Sequence, residues 1–158
     1  MPIVYLSPST QDWNPYVTGS GSEEYWMNRI VDAMEPYLQS NGIRYRRNDP
    51  DTSAGGAIGS AGGQRGAELI AKNLREIYPL PDKVTTRPTT ALGEVSRSRF
   101  PAVLVEIGYH DNYSDALWLE SHVEDVARQL VKALTEYFGL PFIPPMDPKR
   151  GTVRLSYG

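Results

Sequence analysis

The sequence predicts an α/β domain with a mostly parallel sheet flanked by helices, and three observations lead there. Short apolar runs rich in β-branched residues alternate along the chain with stretches whose apolar residues recur at helical spacing. The run AVLVEI at 102–107 is apolar on both faces, as strands covered on both sides are. At 158 residues the chain has room for one domain with a real core and a short tail.

The elements follow in order. IVYL at 3–6, stopped by SPST, predicts a buried first strand. Ser20 or Ser22 then caps a helix in which Trp26, Ile30, Ala33, Met34, Tyr37 and Leu38 share a face, and Asn41-Gly42 ends it. Pro36 lies inside this pattern and removes a backbone donor, so a kink or an end near Glu35 is expected. IRYRRN at 43–48 predicts a second strand. The interval 49–66 is dense in Gly and Ser and predicts a long loop. From Gln64, Ala67, Ile70, Ala71, Leu74, Ile77 and Tyr78 predict a second helix closed by Pro79 and Pro81. KVTTRPTT at 83–90 fits only an edge strand because of its proline. PAVLVEIG at 101–108 is the most strand-like segment. A last helix is expected over roughly 115–138, with Val123, Ala127, Leu130, Leu134 and Phe138 on one face and Gly139 as its stop. The division is thus a domain over 1–142 and, over 143–158, a Pro-rich linker or the start of an absent module.

Composition narrows the function. The chain has no cysteine, so disulfides and thiolate metal sites are excluded and any metal must rest on His, Asp, Glu or water. A net charge of -3 offers no basic surface for phosphate backbones, with Arg44, Arg46 and Arg47 a local exception, so nucleic acid is not an expected partner. MPIVYLSPST carries neither a basic leader nor a long apolar run, and no segment is long enough to span a bilayer. The expectation is a soluble product made in the cytoplasm, without a visible signal peptide and without membrane insertion.

Sites in open α/β sheets form beyond the carboxyl ends of the strands, where Glu106 stands. One reading has it facing solvent or pairing with an arginine such as Arg97 or Arg99. The other makes it a general base or acid, since a carboxylate beside a metal-bound water can pass that proton to a leaving group. His110 and Asp111 lie just past the run and face the same cleft if the loop aims them there. His122 is expected to be a surface or packing residue. Glu23 and Glu24 open the first helix, where the dipole favours carboxylates, yet a glutamate there also lies near the end of the first strand.

The order of these features resembles the zinc-dependent N-acetylmuramoyl-L-alanine amidases, cell-wall hydrolases with an α/β core. Glu24 and Asn28 in EEYWMN match the family's helix-opening glutamate ligand and the asparagine four residues on. NGIRYRRNDPD resembles its glycine, strand, arginine and aspartate run. RFPAVLVEIGYHDN resembles its signature of proline, apolar strand, glutamate, glycine, aromatic and asparagine, which implies that Glu106 is the catalytic glutamate. The last helix ending at TEYFGLPF also fits, and the likeness covers about residues 2 to 142.

Two parts of the family pattern are absent. YLSPSTQ offers Ser7, Ser9, Thr10 and Gln11 where the family's first strand ends in a histidine ligand. DTSAGGAIGSAGGQRG occupies the interval that normally holds a strand ending in a second histidine. The resemblance therefore implies an internal deletion and a family core short of one or two strands, with apolar surface left open to self-association. Catalytic zinc usually takes three protein ligands plus water. The set implied here is Glu24, His110 and Asp111, and equilibrium dialysis is expected to show one zinc that His110→Ala loses. The function implied is hydrolysis of the amide between N-acetylmuramic acid and L-alanine in peptidoglycan, the product acting on the cell wall once released or exported. The alternative is a degenerate, catalytically inactive amidase-like domain that at most binds muropeptides. An unrelated small α/β binding domain is a third reading.

Overall fold

The computed structural model describes residues 1–48, 61–89, 91 and 100–146. Among the described residues, three α-helices and a two-stranded parallel sheet make an α/β fold. Strand β1 (Ile3–Leu6) pairs with β2 (Arg44–Arg47) so that Ile3 faces Arg44 and Leu6 faces Arg47. Helix α1 (Glu23–Ser40) makes the crossover between them. Helix α2 (Ala61–Arg75) follows, and helix α3 (Tyr113–Phe138) packs against both α1 and α2.

The strands lie where the sequence predicts them, but β1 is not buried. Residues along both strands alternate between exposed and half-buried. Val4, Leu6 and Tyr45 turn to the core, while Ile3 and Tyr5 are each about half exposed on the other face. Period-two alternation places every second side chain on the face the helices leave open.

Helix α1 starts at its predicted cap: the Ser22 hydroxyl accepts from the Tyr25 amide at 3.2 Å. It runs on through Pro36 to Ser40, so the expected end near Glu35 does not occur. Its last turn is held from both sides. Tyr37 and Leu38 are buried, and the buried Asn41 side chain donates to the Tyr37 carbonyl at 2.8 Å. Those contacts offset the one hydrogen bond the proline removes. Asn41 also exchanges two hydrogen bonds with the backbone of Ile143, at 2.7 and 2.8 Å, which ties the end of the domain to α1.

Helix α2 begins at Ala61, three residues before its predicted start, so residues 61–66 are helical rather than loop. Its glycines give this stretch the composition of a loop. A Cβ on Gly63 would lie 2.7 Å from the Ala102 carbonyl oxygen, and one on Gly62 would lie 2.7 Å from Pro101 Cγ. Glycine is there for close approach to the 101–103 segment, at Gly63 to its backbone, not for a turn. The remainder of the predicted loop, 49–60, lies outside the described residues.

Residues 101–107 do not form the central strand the sequence predicts; among the described residues only β1 and β2 pair. The segment still alternates, with Val105 and Ile107 packed on the core and Leu104 and Glu106 exposed. A central strand needs both faces covered, and here one face is open. Residues 84–89, predicted as an edge strand, have no regular structure and follow a 3-10 turn at Pro81–Lys83.

Helix α3 supplies much of the core through Leu119, Val126, Ala127, Leu130 and Val131, against Ile30, Met34 and Leu38 of α1 and Leu74 of α2. It is capped by Asn112 and closed by Gly139, whose φ of 68° is the left-handed stop expected of it. The helix breaks regularity at His122, whose ring stacks on Trp118 at 4.9 Å and whose Nδ1 lies 2.7 Å from the Trp118 carbonyl. His122 is thus a packing histidine. No helix among the described residues is long and apolar enough to cross a membrane. Of the 143–158 tail, residues 147–158 lie outside the described residues.

Candidate functional site

The loop between β1 and α1 organises the site. The Gln11 carbonyl accepts from the Glu24 amide at 3.4 Å, and the Asn14 carbonyl accepts from the Glu23 amide at 2.9 Å. These carbonyls satisfy two of the donors that a helix start leaves open. The same loop meets the turn after residue 107: the Val17 amide donates to the His110 carbonyl at 2.9 Å, and His110 Nδ1 lies 3.0 Å from the Pro15 carbonyl. One loop thereby joins the helix end that carries Glu24 to the turn that carries His110.

Each predicted residue has a definite place. Glu24 is half-buried in the first turn of α1 beside an open depression of about 420 Å³ lined by Ser22, Tyr25, Asn28, Arg29 and Asp32. Glu106 is exposed and makes no hydrogen bond or ion pair among the described residues; Arg97 and Arg99 lie outside them. Asp111 is exposed as well. Glu23 accepts from the Asn14 side chain at 3.2 Å and belongs to the helix start.

His110 has a fixed orientation. A carbonyl oxygen only accepts, so Nδ1 must carry the proton in this contact and Nε2 is the nitrogen left for another partner. The Tyr16 ring lies 6.4 Å from the imidazole and 6.2 Å from Trp26. Burial, with the charges of Glu23 and Glu120 adding to it, pushes the Tyr16 hydroxyl up to about 12, so it stays neutral.

No match to a family model, a curated protein or a solved structure was found. The chemistry of the site rests on its own geometry.

A backbone carbonyl behind Nδ1 is the arrangement that metal-binding histidines commonly have. The other donors do not follow. Among the described residues no three His, Asp or Glu side chains come together as a group able to hold a metal ion, so Glu24, His110 and Asp111 do not assemble the three-ligand set. No step is routed through a metal here.

The sequence expectations point neither to Asp115 nor to the partners of Arg47. Asp115 accepts from both the Tyr109 amide and the Tyr78 hydroxyl. Arg47 donates to the Asn28 side-chain oxygen and, at 2.6 Å, to Asp32. The Asn112-x-x-Asp115 spacing, a relative of the capping box, is the signal that points to the first. Nothing in the sequence pairs Arg47 with Asn28.

Proposed function

We propose that the chain is built on the plan of the zinc-dependent N-acetylmuramoyl-L-alanine amidases, with a core short of one or two strands, and that it acts on the amide between N-acetylmuramic acid and L-alanine in peptidoglycan. The observation that carries this reading is the contact of Arg47 with Asn28. These residues come from two separate parts of the resemblance, and their side chains meet one helical turn from Glu24. In this reading Glu106 transfers the proton. It takes one from the attacking water as that water adds to the carbonyl carbon, then delivers it to the alanine nitrogen as the C–N bond breaks. Its exposed position between two core-packed neighbours, Val105 and Ile107, suits that work. The site of action is the cell wall, reached by release or export.

A second reading is a degenerate amidase-like domain that binds muropeptides without cutting them. One assay separates the two. Purified protein is incubated with peptidoglycan, with and without zinc, and newly exposed N-terminal alanine is measured. The hydrolase reading expects release that drops by about 100-fold or more in Glu106→Gln, about 100-fold being the lower end of the usual range for acid–base catalysis. No release from the parent chain selects the binding reading. Equal release from both proteins removes Glu106 from its role.

A further inference from the structure

The turn that follows Glu106 and carries His110 is tied down on two sides. On one side His110 meets the β1–α1 loop through Pro15 and Val17. On the other stands the Asp115 carboxylate. Its Oδ2 accepts from the Tyr109 amide at 3.1 Å, and its Oδ1 accepts from the Tyr78 hydroxyl at 2.6 Å. The Asn112 side chain caps the Asp115 amide at 3.1 Å, so the carboxylate is fixed at the first turn of α3. Gly108 has a φ of 69°, and a Cβ there would lie 3.1 Å from Asp115 Cβ. The backbone between Glu106 and Tyr109 is therefore pressed against this one side chain, in a conformation that glycine alone adopts readily.

We infer that Asp115 is the positioning residue of this turn: by holding the Tyr109 amide and the Tyr78 hydroxyl together, it sets where the Glu106 carboxylate and the His110 ring stand. The catalytic half of this inference rests on the amidase reading; the structural half does not. A hydrogen bond to an ionised carboxylate is stronger than one between neutral groups, and a carboxylate accepts several donors at once. Those properties let Asp115 join the segment just after α2, the turn and the start of α3 through one group. A catalytic group displaced by about 1 Å loses rate on the order of 100-fold, so a clamp this close to Glu106 has leverage on its placement.

The test has two readouts on the full chain. Amide hydrogen exchange is compared between the parent and Asp115→Ala. Tyr109 is expected to exchange roughly tenfold faster or more in the variant, while the core amide of Val131 keeps its rate. Asp115→Asn keeps the shape and one acceptor oxygen; it is expected to show the same pattern at smaller amplitude and serves if alanine prevents folding. The second readout is alanine release in a double-mutant cycle with Glu106→Gln. Positioning expects Asp115→Ala to lower release about tenfold in the parent background and to add nothing once Glu106 is gone. A loss by the same factor in both backgrounds, the mark of a merely structural role, overturns the catalytic half. Unchanged exchange at Tyr109 overturns the inference as a whole. If the parent releases no alanine, the amidase reading fails by itself, and the Tyr109 exchange still decides whether Asp115 holds the turn.

Discussion

Three phenols show how single residues couple this fold to pH. Burial raises Tyr16, Tyr37 and Tyr78 to about 12 each, and carboxylates add to it: Glu23 and Glu120 for Tyr16, Glu124 for Tyr37 and Asp115 for Tyr78. The folded chain prefers these groups protonated more strongly than the unfolded chain does. Their contribution is therefore complete below the unfolded value of 10 and is lost as pH rises from there through 12. Stability to urea is expected to fall over that interval, with part of the phenolate absorbance of the ten tyrosines appearing late, together with unfolding. A midpoint that holds steady across the interval, with all tyrosines titrating at the ordinary value, would refute this. None of it was legible in the sequence, which shows a tyrosine but not the carboxylate that another element places beside it. Glu106 was legible as a candidate because its local pattern, an apolar run ending in a carboxylate and a glycine, is contiguous in the chain.

Among the elements, α2 shows most clearly why local reading fails. Gly62, Gly63 and Gly66 predict a loop by composition, yet all three lie within the helix. Glycine costs about 1 kcal/mol against alanine in a helix interior, so Gly63→Ala by propensity alone should stabilise α2. The added Cβ would meet the Ala102 carbonyl at 2.7 Å, and backbone does not yield as a flexible side chain does. The clash is expected to win, with a net loss of about 1 to 3 kcal/mol in denaturant unfolding, the usual cost of overpacking. A gain in stability would show that the helix and the 101–103 segment shift apart easily. Helices α1 and α3 lie close to their predicted bounds, because Ser22, Asn41, Gly42 and Gly139 act within a turn of the ends they define. The strand expected at 101–107 required information of another kind, since a strand exists only with a neighbour to pair with.

At the scale of the whole molecule, the sheet is covered on one face only among the described residues. Ile3 and Tyr5 stand about half exposed beside the exposed Arg44 and Arg46, and Leu104 adds further apolar surface at 47% exposure. Two strands with an open apolar face are marginal by themselves, and unsheltered strand edges favour pairing with a further chain. Self-association is the expected consequence. Sedimentation over a range of concentrations should show an average mass that rises above the 17.6 kDa of one chain and returns toward it in Tyr5→Lys. A mass equal to one chain at every concentration would mean that the face is tolerated open, as single exposed apolar residues commonly are.

By itself the sequence determined what is set within a few neighbouring residues. That covers the positions of β1, α1, β2 and α3, the α/β class, the exclusion of thiolate chemistry by the lack of cysteine, and the candidacy of Glu24, Glu106, His110 and Asp111. Caps, periodicity and composition act over one or two turns of chain, so they can be read in order. The tertiary structure alone decided which of these residues meet. It joined Arg47 to Asn28, pressed Gly108 against Asp115, turned His110 Nδ1 to the Pro15 carbonyl, and left Glu24, His110 and Asp111 without the three-donor arrangement a metal needs. Such meetings depend on how helices pack across a sheet, and residues far apart in the chain come within hydrogen-bond distance only after that packing is set.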